Sequence, residues 1–190
     1  MSGKLIVFEG MDCTGKTTTV KKLLNQSGRF VYNKGIGSEG AIGRFSRKFP
    51  STFMFFLELM YFTFTRIKPE LKKEKIILQD RYDISITSYV PVVERLYNKV
   101  IVQIFRRFVV KPAAIVYFYL PLNEHLRRLR QKSAKYELIL ANNPRLIQLR
   151  KKKYSDWYKN FDGQKIKIDT QKNNLEETIW KTRKFIEKIL

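Results

Sequence analysis

Gly10, Gly15, Lys16 and Thr17 stand at the spacing glycine, four residues, glycine, lysine, hydroxyl, inside the stretch GMDCTGKTT. Glycines at those places let a backbone curl until successive N–H groups face one point, a cage for a phosphate. Lys16 is then expected to reach the terminal phosphates of a nucleotide, and the Thr17 hydroxyl to ligate Mg²⁺. Met11, Asp12, Cys13, Thr14 and Thr18 complete the expected nucleotide-binding loop, residues 10–18. Asp12 puts a carboxylate among anion-binding amides. That arrangement is repulsive unless the group handles a metal-bound water or a substrate hydroxyl. Glu9 aims a second carboxylate at the same space, its plain alternative being a strand-end charge turned to solvent. Cys13 reads as a small filler in the loop, since no catalytic base lies near it in the sequence.

Such a loop works only between a strand and a helix, and the flanking pattern supplies both. KLIVFEG (4–10) is a short apolar run, and a helical pattern follows through about Leu24. RFVYNKG (29–35), EKIILQD (74–80), AAIVYFYL (113–120) and QKIKID (164–169) read as four further strands. Helices are expected from about Pro50, from Ser85 to Val109, from Pro121–Leu122, from Pro144 to Tyr158, and over the last seventeen residues. A polar loop carrying Gly35, Gly37, Gly40 and Gly43 separates the second strand from the aromatic helix. Five short strands alternating with helices require parallel crossovers and a sheet covered on both faces. The expectation is a single α/β domain over residues 1–190.

Composition removes other classes. The chain has 190 residues, 44% hydrophobic and 29% charged, which is globular composition. No apolar run reaches membrane-spanning length, and the N-terminal run is too short for a signal peptide, so no membrane association is expected. One cysteine excludes an internal disulfide framework and fits a reducing cytoplasm, while one histidine argues against a His/Cys metal site. The net charge of +21 calls for anionic partners, either nucleic acid or a small polyphosphate. Its cations are spread over every helix, so nucleic acid is not favoured. His125, in the expected helix after Leu122, reads as an exposed helical histidine.

IVFEGMDCTGKTT resembles the opening of the thymidylate kinases, and DRYDISITSY (80–89) resembles a second block of that family, with Asp80, Arg81, Tyr82, Ser85 and Tyr89 at matching offsets. IKPELKKEKIILQDRY, VKPAAIVYFYLPLNEHLRRLR and KYELILANNPRLIQLRKKKYSDW extend the likeness in the family's order. The resemblance implies a three-layer P-loop NTPase fold with a five-stranded parallel sheet and a short basic lid at about 130–143. It implies ATP- and Mg²⁺-dependent phosphoryl transfer to a nucleoside monophosphate, dTMP first. Another (deoxy)nucleotide or a nucleoside is the alternative acceptor, and a nucleic-acid-binding P-loop protein without kinase activity a third reading.

In that frame Arg81 forks onto the acceptor phosphate, Asp80 holds a Mg²⁺ water, and Glu9, Ser85 and Tyr89 lie beside the acceptor. Cys13 occupies a loop position where the family can carry its transfer arginine, so the lid must supply one. Arg127, Arg128 and Arg130 are the candidates, with Arg130 preferred as the catalytic group alongside Lys16, Asp12 and Arg81. Three departures touch the acceptor side. The loop after the second strand lacks the family's arginine, with Lys34, Arg44 and Arg47 as substitutes. In YFTFTR, Phe62 and Arg66 keep the family's mutual spacing, so Arg66 is an expected acceptor contact; but two helical turns are missing before Lys68, and ungapped alignment puts Leu59 there instead. Val90 replaces a glutamine. The family pairs through long helices, so the aromatics Phe53, Phe55, Phe56, Tyr61, Phe62 and Phe64 imply core or a homodimer contact.

Overall fold

β1 (Lys4–Glu9) is buried along almost its whole length, as a strand must be when both its edges and both its faces are covered. In the computed structural model, which describes residues 3–24, 28–36, 40–49, 51–89, 96–132 and 135–190, β1 is the middle strand of five. The sheet runs β2 (Phe30–Lys34), β3 (Ile76–Asp80), β1, β4 (Ala114–Tyr119), β5 (Gln164–Asp169), every pair parallel. All five expected strands form. The registers set Phe8 opposite both Asp80 and Val116, so β3 and β1 finish within one residue of each other while β4 runs two residues past Glu9.

Alternation along β1 divides the core. Ile6 and Phe8 pack with Val20 and Leu23 of α1 (Lys16–Leu24) and Ile186 of α10 (Leu175–Ile189). Leu5 and Val7 pack on the opposite face with Phe56 and Leu59 of α3 (Thr52–Phe62), Ile86 of α5 (Asp83–Tyr89) and Phe105 of α6 (Leu96–Arg106). A third cluster joins Met11 and Tyr117 to Leu129 of α7 (Leu122–Arg130), Leu140 of α8 (Lys135–Ala141), and Ile147 and Tyr154 of α9 (Pro144–Lys159). Helices on both faces of one parallel sheet give three layers.

Two details, the loop after β2 and the setting of His125, differ from expectation, and two others are drawn more finely. The glycine-bearing loop after β2 contains a helix, α2 (Ala41–Lys48), with Gly43 inside it. The expected lid carries α8. The helix expected from Ser85 to Val109 is described as α5 and α6, and residues 90–95, with Val90, lie outside the described residues; so do Gly37 and Pro50. His125 is 1% exposed instead of solvent-facing. It lies on the same helical stripe as Leu122 and Leu129, three and four residues away, and that stripe faces the sheet.

The segment after α3 continues as a wide π-helical turn, Thr63–Ile67, into α4 (Lys68–Lys72). Pro69 explains the widening: it has no N–H for the Thr65 carbonyl, and the Lys68 N–H instead reaches Thr63, five residues back. Among the described residues no helix is long and apolar enough to cross a membrane.

Candidate active site

The loop after β1 takes the conformation its glycines allow. Gly10 has φ 145° and Gly15 φ 85°, and a Cβ on Gly10 would sit 2.4 Å from the Phe118 carbonyl. Cys13 also lies in the left-handed region, at φ 61°. Three carbonyls of the loop are tied down by side chains, two from the loop's own side and one from α7. That of Met11 accepts from Thr14 Oγ1 (2.8 Å) and from Lys16 Nζ (2.9 Å), that of Asp12 from His125, and that of Gly15 from Thr19. Because the Asp12 carbonyl is turned toward His125, its trans peptide unit turns the Cys13 N–H the opposite way. Lys16 is 5% exposed, and burial followed by the nearby Arg81 charge lowers its ammonium to about 8, against the opposing pull of Asp80, Asp12 and Glu9.

Asp80 and Arg81 meet this loop directly. Thr17 donates its hydroxyl to Asp80 Oδ2 at 2.7 Å, and the Arg81 guanidinium pairs with the Asp12 carboxylate. Arg81 adopts φ 73°, and its N–H returns to the Phe8 carbonyl at 3.1 Å, which folds its side chain back over the loop. Asp80 Oδ1 is buried and has no hydrogen-bond partner among the described residues, while Oδ2 also receives Tyr32 Oη at 3.3 Å. A bare carboxylate oxygen beside a threonine hydroxyl is a donor set for a hard cation, so the Thr17–Asp80 pair fits Mg²⁺.

Several expected substrate contacts are placed differently. Glu9 is 0% exposed, not turned to the cleft or to solvent; it accepts from the Tyr82 N–H and from Ser85 Oγ (2.7 Å), with Tyr154 Oη at 3.5 Å. Ser85 is thus engaged with Glu9 and Tyr154. Both act as struts under the β3–α5 corner. Burial raises the Glu9 carboxyl to about 7, against the lowering effect of its Ser85 bond and of Arg81. Arg66 is not joined to the cluster. Its guanidinium stacks 4.8 Å over Phe62 and lines a cavity of about 200 Å³ against β2, because the π-helical turn resets its register. Leu59, the other alignment candidate, is core. Arg130 ends α7 exposed, whereas Arg128 reaches the carbonyls of Cys13 (3.5 Å) and Thr170 (2.8 Å). The side chains of Tyr89 and Arg47 lie outside the described residues.

Sequence reading missed Tyr154, Tyr32 and Arg150. Arg150 is buried in α9 and donates to Tyr136 Oη of α8 at 3.0 Å. The spacing Ile147, Arg150, Tyr154 was the available signal, one inward stripe of α9. A cavity of about 690 Å³ between α5, α6 and α9 is lined by Tyr82, Arg106 and Trp157 and contains none of the loop. Charge and backbone geometry, not volume, locate the chemistry.

A phosphate cage at the end of a central parallel strand, with an Asp–Arg corner on the neighbouring strand, is the arrangement of a P-loop nucleotide kinase. The thymidylate kinase family model matches residues 8–179. A Thermococcus gammatolerans protein named "Probable thymidylate kinase" is 25% identical over 197 aligned positions, covering 92% of this chain and 91% of that protein. Thymidylate kinase from Candida albicans superposes with a TM-score of 0.78 at 17% identity, over 98% of this chain and 92% of that one. The enzyme from Ehrlichia chaffeensis gives 0.70 at 17% identity, over 98% and 99%. The chain belongs to the thymidylate kinase family, and is thereby a phosphotransferase of the class that converts dTMP to dTDP with ATP.

The Glu9 shift has a measurable sign. Below pH 4.5 the carboxyl is protonated in folded and unfolded chains alike. Between 4.5 and about 7 the unfolded chain ionises first, so stability falls as pH rises, and the loss is complete above that window. Glu9→Gln removes this slope. The unfolding free energy of the variant relative to wild type, from denaturant melts at pH 4.5 and 8, should move in the variant's favour by on the order of 3 kcal/mol. A constant difference would mean that Glu9 titrates as an ordinary carboxylate.

Proposed function

We propose that this chain transfers the γ-phosphoryl group of ATP to the phosphate of dTMP, with the donor in the 10–18 loop and the acceptor held by Arg81. The observation that carries the reading is the double junction between the two corners, Thr17 to Asp80 and Asp12 to Arg81. Donor and acceptor groups of the chain thus face one space, as an in-line displacement requires.

In the transfer, an acceptor phosphate oxygen bonds to the γ-phosphorus as the bond to the β–γ bridging oxygen breaks, leaving ADP and dTDP. The loop amides and Lys16 neutralise the donor oxygens. Buried as it is, the Lys16 ammonium acts in surroundings where one charge counts for more than it does in water. Arg81 exchanges one anion for another: an arriving phosphate competes with the Asp12 carboxylate for the guanidinium fork. The Asp12 carboxylate then turns to accept from a substrate hydroxyl. Thr17 and Asp80 would hold Mg²⁺, which when bound screens the repulsion between the two polyanions. The lid arginine comes from α7; of the three candidates there, Arg128 touches the loop backbone, which sets it beside the preferred Arg130.

The acting unit is a homodimer. Phe53, Leu57, Tyr61 and Phe64 form an exposed stripe at helical spacing on and just after α3, and Val100, Ile104 and Phe108 form another along α6. The two helices touch through Phe53 and Phe105, ring centroids 5.7 Å apart. In a chain with a net charge of +21, α3 contains neither Lys nor Arg. A second copy can therefore approach along α3 with less like-charge repulsion than elsewhere, and a self-complementary apolar stripe suits a two-fold contact.

Purified protein with ATP and Mg²⁺ should release ADP with dTMP and more slowly, or not at all, with dUMP, dCMP, dGMP, dAMP and the corresponding nucleosides. Lys16→Ala should reduce turnover at least a hundredfold, and Arg81→Ala should raise the KM for dTMP well above that for ATP. No ADP with any acceptor defeats the reading, and normal kinetics in Arg81→Ala would move the acceptor elsewhere. Analytical ultracentrifugation should give twice the mass of one chain. The double variant Leu57→Glu/Tyr61→Glu should sediment as single chains, and a wild type that sediments at the mass of one chain rejects the interface.

A further inference from the structure

His125 has no part in phosphoryl transfer as described above, yet it is buried against the loop that performs it. Its Nε2 lies 2.9 Å from the Asp12 carbonyl oxygen. A carbonyl can only accept, so Nε2 carries the proton and donates. The Asp12 carbonyl and the Cys13 N–H belong to one peptide unit, which is trans like every other described bond, so fixing the carbonyl outward fixes the N–H inward. Cys13 sits at φ 61°, where a non-glycine residue needs outside support to stay. Arg128, one turn further along α7, reaches the next carbonyl, that of Cys13.

We propose that His125 is a positioning residue of the donor site: its Nε2–H locks the Asp12–Cys13 peptide so that the Cys13 amide faces the donor phosphates. The role rests on the reading of residues 10–18 as the donor site. An imidazole suits it because burial holds the ring neutral, its pKa near 4, so it donates without adding charge beneath the loop. It also sets the backbone from which the Asp12 side chain reaches Arg81, and it ties the loop to the helix that leads into α8.

The test is steady-state kinetics of His125→Leu, His125→Gln and His125→Asn with ATP and dTMP varied separately, beside thermal melts. Leucine leaves a buried carbonyl unsatisfied, and the KM for ATP should rise about tenfold while that for dTMP stays within twofold. Glutamine places an amide N–H near the position of Nε2 and should return the ATP KM to within about threefold of wild type. Asparagine is too short to reach and should behave as leucine does, which decides the question if the leucine variant fails to fold. Wild-type kinetics in His125→Leu, equal impairment of His125→Gln and His125→Asn, or a parallel rise in both KM values would overturn the proposal. Wild-type turnover in the same assay tests the kinase reading separately.

Discussion

The parallel pairing of β1 with β3, Phe8 opposite Asp80, is the constraint on which the site depends. It finishes two strands at one level, so the turn after β1 and the turn after β3 open into the same space. The Arg81 N–H extends the ladder by one bond to Phe8, and only then does the chain depart, through a left-handed residue. That conformation costs about 1 kcal/mol for a residue with a Cβ. Gln79 Nε2 on the Arg81 carbonyl at 2.9 Å and Glu9 on the Tyr82 N–H hold it. The backbone strain and the aim of the guanidinium toward Asp12 are one feature.

Charge within the site follows from that closeness. Arg81 is paired with Asp12, and Lys16 feels the charges of Asp80 and Asp12, so the cations are already partly neutralised by the protein's own carboxylates. Such a cluster binds an anion by exchange rather than by simple attraction: the phosphate must displace a carboxylate or bring a cation with it. Glu9 is the member that cannot be displaced, because its oxygens are bonded to the β3–α5 corner. Burial answers the problem by favouring its neutral form, which leaves the remaining carboxylates to pair with the cations.

Most of the fold was legible because the strands are short, apolar and separated by helices of ordinary length, and because the glycine loop can work only at a strand–helix junction. What failed did so for local reasons. Gly43 and its glycine-rich surroundings suggested a loop, yet α2 forms there with Ser46 buried and bonded to Glu58 of α3 at 2.6 Å, a tertiary contact that propensity does not register. Arg66 keeps the family's spacing from Phe62, but Pro69 widens the turn between them and α4, and a one-residue change of turn redirects a side chain. His125, between Glu124 and Leu126 in a charged helix, reads as exposed when only its neighbours in sequence are weighed. Its partners at Leu122 and Leu129, three and four residues away, were the better guide to the face it occupies.

The surplus of positive charge does work distinct from that of the buried cluster. Cations scattered over the helices cannot select a base or align a phosphate; they raise the potential around the whole molecule and hasten the arrival of anions. That contribution fades once ions of the medium screen it beyond about 8 Å at physiological salt. Lys16 is buried against the Met11 carbonyl and Arg81 is held in an ion pair with Asp12, so the same ions scarcely reach them. Encounter and transfer are thus supported by two separate populations of charge. Only the second depends on the register of β1 against β3, so a change in that register would disable transfer while leaving the attraction of anions intact.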